Sequence, residues 1–154
     1  MHTMILPKGT TGFFSAEDKP SQVNPKQFSK ACFNLVSGMK AKVLCISTQL
    51  EPDKNYYYAA LEIKGRSVLI LCNTSHPYIA FAKPGEDVIY EDFFDDADLA
   101  SVFKAIKSFE VLPADILNAK PEPNQLSELS EVEISEIEHW KPSRLGEIVF
   151  NHWD

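Results

Sequence analysis

Cys72 and His76 are the closest approach to a reactive pair in this chain. A thiol that ends an apolar run, followed by an imidazole in the next loop, has the makings of a nucleophile and its base. A cysteine in that setting is more commonly packed as a small hydrophobe, with its thiol protonated and inert. The histidines His2, His76, His139 and His152 stand in no H-x-x-x-H, H-E-x-x-H or C-x-x-C context, so no zinc set is predicted. Gly9-Thr10-Thr11-Gly12 lacks the Lys-Ser/Thr that completes a phosphate-binding loop. The acids Glu86, Asp87, Glu91, Asp92, Asp95, Asp96 and Asp98 lack calcium-loop spacing and read as a solvated, negative face. No cofactor and no metal is predicted. The first reading is a protein without enzymatic activity, and the alternative is a small thiol-dependent hydrolase using Cys72 and His76.

Charge says more than any motif. The formal net charge is −7, but residues 1–85 hold 10 Lys and Arg against 5 Asp and Glu, and residues 86–154 hold 5 against 17. The halves therefore carry +5 and −12. Phosphate binding rests on Lys and Arg displacing counterions, so so acidic a surface disfavours nucleic acid and favours a basic protein. Aromatic side chains flanked by acids make binding anchors, and Trp140 and Trp153 are such aromatics. The residues expected to touch a protein partner are Glu91, Asp92, Asp95, Asp96, Asp98, Glu136 and Trp140.

A chain of 154 residues that is 44% hydrophobic is expected to form one domain spanning residues 1–154. Its three cysteines, Cys32, Cys45 and Cys72, are odd in number, widely spaced and set within apolar patterns, as expected in a reducing cytoplasm. The first residues, MHTMILPKGTTGFF, have no basic segment leading into a long apolar core, and no run approaches the roughly 18 apolar residues of a membrane span. No membrane association is predicted.

The elements that must position these residues centre on residues 56–82, read as three consecutive strands. Lys64-Gly65-Arg66 is the turn of an antiparallel hairpin, and the continuous apolar run of residues 68–71 marks a strand covered on both faces, in mid-sheet. Asn24-Pro25 starts a helix whose stripe of Phe28, Ala31, Cys32, Leu35, Val36 and Met39 must face that sheet. Residues 41–48 are a further strand, and residues 49–55 a turn. Residues 88–94 read either as a strand or as an aromatic loop. Asp95, Asp96 and Asp98 open a second helix that ends near Lys104 and Lys107. Residues 109–112 are a short strand, 113–118 a helical turn, and the proline-rich residues 120–126 a mobile connector.

Ser130-x-x-Glu133 and Ser135-x-x-Glu138 both have capping-box form. The helix they start is expected to turn Ile134, Ile137 and Trp140 inward and leave Glu131, Glu133, Glu136 and Glu138 in water. Pro142 ends it, Ser143 caps a last helix lined by Leu145, Ile148, Val149 and Trp153, and Gly146 allows that helix a close approach. The fold class predicted is α+β, an antiparallel sheet of four to five strands with an N-terminal helix and C-terminal helices packed on it.

Residues 140–154 have the pattern W-x-P-x-x-x-G-E-x-x-F-N-x-W-D. That tail, with Leu6-Pro7-Lys8-Gly9-Thr10-Thr11-Gly12-Phe13 and His76-Pro77-Tyr78-Ile79-Ala80-Phe81-Ala82, resembles small, mostly uncharacterised bacterial cytosolic proteins. Their kind is similar to the immunity proteins that accompany secreted toxins. The resemblance implies inhibition by direct binding of a basic toxin, and no catalytic residue.

Overall fold

The computed structural model describes residues 4–153 except 18, 20, 50–53, 87, 88 and 107. Expectations for His2, Asp87, Val88, Lys107, Asp154 and the turn at 50–53 therefore lie outside the described residues. The elements are α1 (Pro25–Gly38), β1 (Ala41–Ser47), β2 (Tyr56–Ile63), β3 (Arg66–Asn73), β4 (Tyr78–Pro84) and β5 (Tyr90–Phe94), then α2 (Ala97–Lys104), β6 (Glu110–Val111), α3 (Ala114–Asn118), α4 (Glu131–Trp140) and α5 (Gly146–Val149). The class is α+β, as the sequence leads one to expect. The strands run β1-β2-β3-β4-β5 in antiparallel order, and two residues of β6 pair in parallel with the start of β4. At the β2–β3 turn Lys64 and Gly65 take φ of 51° and 80°, the left-handed pair that suits a two-residue hairpin.

Two cores flank this sheet because side chains alternate along each strand. Tyr57, Ala59 and Leu61 of β2, with Val68, Ile70 and Cys72 of β3, face α1 and α2, where Phe28, Cys32, Leu35, Leu99 and Phe103 cover them. Asn24 starts α1 by accepting the Lys26 N–H at 2.9 Å. On the opposite face Tyr56, Leu69, Leu71, Tyr90 and Phe93 are covered by Leu6, Leu117, Leu129, Leu145, Ile148 and Phe150. β3 is thus buried on both sides in mid-sheet.

Several local expectations change. Cys45 is exposed, because β1 has an irregularity between Val43 and Cys45 that shifts the register and leaves Leu44 half exposed beside it. Residues 88–94 contain a strand, beginning at Tyr90. Within 120–126, Pro123–Leu126 is a 3-10 turn in which the Glu122 N–H reaches Gln125 Oε1 at 2.8 Å, and Leu6 N–H donates to the Gln125 carbonyl. The last helix is one turn long. Ser143 does not cap it; its hydroxyl donates to Glu147 Oε2 at 2.9 Å, and Trp153 lies beyond the helix.

Candidate functional site

Three stretches far apart in sequence meet at one end of the sheet, joined by buried polar side chains. Asn55, before β2, donates to the carbonyls of Thr10 and Val149 at 2.8 and 3.0 Å. Asn73, ending β3, donates to the same two carbonyls at 2.9 and 2.7 Å. Asn151 donates its backbone N–H to Asn55 Oδ1 at 2.7 Å and its amide to the Thr11 carbonyl at 2.9 Å. Carbonyls that neither helix nor strand satisfies are thereby paired, which is what burial demands of them.

Glu133 completes the join and corrects an expectation, for it is fully buried rather than solvated. It occupies the N3 position of α4, and Oε1 receives the Ser130 N–H at 3.1 Å, as a capping box requires. Oε1 also accepts from Gly9 N–H at 2.9 Å, while Oε2 accepts from the Thr11 N–H at 3.1 Å and its hydroxyl at 2.7 Å. The cap was legible in Ser130-x-x-Glu133; the second set of donors, over 120 residues away, was not.

This joint sets the outer surface of α4 against the first segment and the tail. Phe13, Ser135, Glu136, His139, Trp140 and Trp153 line an open groove of about 420 Å³. Trp140 and Trp153 lie 6° from parallel with ring centroids 6.2 Å apart, and Phe13 stacks on Trp153 at 6.1 Å and 28°. The His139 ring meets Trp140 edge-on at 5.2 Å. Trp140 Nε1–H donates to Glu136 Oε2 at 3.1 Å, fixing ring and carboxylate together. Trp140 was expected to pack inward, yet it is 38% exposed, because Glu133, Ile134 and Ile137 occupy the inward face of α4. Ile5, Phe14 and Val132 are exposed on the same segments. Of the predicted partner-binding residues, Glu136 and Trp140 are therefore brought together; Phe13, His139 and Trp153 join them through contacts that no spacing announces.

The other five predicted residues lie on β5, on α2 and in the link between them, away from the lining of that groove. Asp92 is 3.5 Å from Arg144. Asp95 Oδ1 accepts the Ala114 N–H at 2.9 Å, and Asp96 Oδ1 caps α2 through the Asp98 and Leu99 N–H groups. Asp96 also stands 4.0 Å from Arg66. Glu91 shares a groove with Arg66 and Lys83, and Asp98 another with Lys40, Lys64 and Arg66. The acidic stretch thus sits among bases of the first half, where local charges offset one another.

Cys72 and His76 part company. Cys72 points into the α1 side of the core, and its Sγ lies 3.5 Å from its neighbour's carbonyl, that of Asn73. His76 lies on the β3–β4 loop with Nε2 3.1 Å from the Lys8 carbonyl, its ring beside Tyr78. Burial pushes the Cys32 thiol up to about 12 and the Cys72 thiol higher still, the latter also through Cys32. In the native protein at neutral pH, iodoacetamide is expected to label Cys45 within minutes and to leave Cys32 and Cys72 unlabelled until unfolding, as read by peptide mass spectrometry. Rapid labelling of Cys72 would favour the hydrolase reading.

Among the described residues no group of three or more His, Cys, Asp or Glu is gathered to hold a metal, and no helix is long and apolar enough to cross a membrane. No family model, no curated protein and no solved structure matches the chain.

Proposed function

We propose that this chain acts by binding another protein with a basic surface, in the manner of an immunity-type inhibitor that covers a basic toxin. The observation that carries the proposal is the aromatic ladder of Phe13, Trp153 and Trp140, held beside Glu136 on the exposed side of α4. Large aromatics on a surface are expensive to leave in water, and a set of them in fixed geometry next to a carboxylate has the composition of an interface anchor. Exposed Glu131 and Glu138 on the same helix add negative potential that would steer a basic partner, an effect weakened by salt.

The test is capture by cross-linking of the tagged chain in cells that make its partner, comparing three forms. The unaltered chain should retain a basic protein. Trp140→Ala should weaken that complex by about 2 kcal/mol, or roughly 30-fold. Removing the charges of Glu91, Asp92, Asp95 and Asp96 together should weaken it less than tenfold, because those acids already face Arg144, Arg66 and Lys83. No captured protein, or a complex indifferent to Trp140→Ala, would overturn the proposal.

A further inference from the structure

We infer that the groove between α4 and the tail receives an arginine side chain of the partner. This rests on the binding role just proposed and specifies the chemistry of its contact. Three features converge on a flat cation. Trp153 is stacked against Phe13 and Trp140, so the ring that a guanidinium, planar and weakly hydrated, can cover is that of Trp140, which is 38% exposed and whose quadrupole attracts a cation. At the rim, Glu136 takes one hydrogen bond from Trp140 Nε1 on Oε2, and a carboxylate so engaged has further lone pairs that can accept from guanidinium N–H groups. Among the described residues neither Lys nor Arg lines the groove, while Glu131 and Glu138 stand exposed on the same helix.

The contrast with the groove around Glu91 sharpens the point. There Arg66 and Lys83 already stand beside Glu91 and Asp95, so an incoming cation meets like charge. At α4 the carboxylate beside the aromatics has a tryptophan for its protein partner, and an added positive charge meets no Lys or Arg among the described residues of the lining. His139 is the titratable ring beside Trp140, and Ser135 contributes a hydroxyl. Arginine is favoured over lysine because its fork can engage the carboxylate edge-on while its plane covers the indole.

The probe is a blocked tripeptide, acetyl-Gly-Arg-Gly-amide, titrated into the protein while the indole Nε1–H resonances are followed by NMR. Trp153→Phe assigns the two signals. The arginine peptide should shift both saturably with a Kd in the millimolar range, as expected of one side chain. The lysine peptide should bind several-fold more weakly, and the citrulline peptide, isosteric but neutral, should produce no saturable shift. Glu136→Gln should raise the Kd about tenfold while leaving the melting temperature unchanged. Absence of a saturable shift, or equal shifts from citrulline, would overturn the inference. If the intact chain captures a partner through Trp140 but ignores the arginine peptide, arginine recognition falls and the binding role stands. If the peptide binds but no partner is captured, the binding role falls instead.

Discussion

Replacing Glu133 by alanine is expected to destabilise the protein by about 4 kcal/mol, since each buried donor left without an acceptor costs roughly 1–3 kcal/mol and water entering the space recovers part of that. Five groups lose their acceptor at once: the Gly9 and Thr11 N–H groups, the Thr11 hydroxyl, and the Ser130 N–H and hydroxyl. For a domain of this size the melting temperature should fall by roughly 10 °C. Glu133→Gln should fare little better, because one carboxylate oxygen becomes an NH2 group that faces other donors. Glu131→Ala and Glu138→Ala, on the exposed side of the same helix, should each stay within about 0.5 kcal/mol of the parent. Thermal and urea melts followed by circular dichroism decide the matter. A Glu133→Ala protein as stable as Glu131→Ala would mean that the first segment is not held through this carboxylate.

Gly146→Ala is expected to cost about 3 kcal/mol, in the range of an overpacked core. A methyl group there would stand 2.2 Å from Phe93 Cε2, 2.6 Å from its Cζ and 3.1 Å from the Leu117 carbonyl oxygen. The Phe93 ring has little room to yield: Tyr90 and Phe150 flank it at 5.2 and 6.0 Å, and the Arg144 guanidinium lies 5.3 Å from its centroid. Arg144 in turn holds Glu147 at 3.0 Å and Asn118 Oδ1 at 3.3 Å, so a displaced ring loosens the joint between β5, α3 and the tail. Gly38→Ala is the control, since its added methyl meets no atom within 4 Å. It should be neutral or stabilising by up to about 1 kcal/mol. Equal melting temperatures for the two variants would show that α5 can draw back from β5 at little cost.

The strands and helices were legible where one physical signal dominated. Asn24-Pro25, Lys64-Gly65 and the apolar residues 68–71 each act locally, through a cap, a turn or burial on both faces, and each stands where expected. Gly146 was legible as a point of close approach, though the ring it approaches was not. The failures share a cause, which is long range. Glu133 looked like one more acid on a wet helix face, because its additional donors come from Gly9 and Thr11. Trp140 looked like core for the complementary reason, since the side chains that displace it outward are the buried Glu133 and the half-buried Ile134 and Ile137. At the candidate site Glu136 and Trp140 share a helix face by their spacing, whereas Phe13 and Trp153 arrive only when both ends of the described chain are tied to the sheet.

That tying has a bearing on how the molecule is made. Asn55 and Asn73 emerge from the ribosome long before Asn151, whose bonds to Asn55 and Thr11 close the second core. During synthesis α1 and α2 can already settle on one side of the nascent sheet, while Tyr56, Leu69 and Leu71 on the other await Leu145, Ile148 and Phe150. The cover of that second face is thus encoded late in the chain, and the second core cannot close before residue 151 has been made.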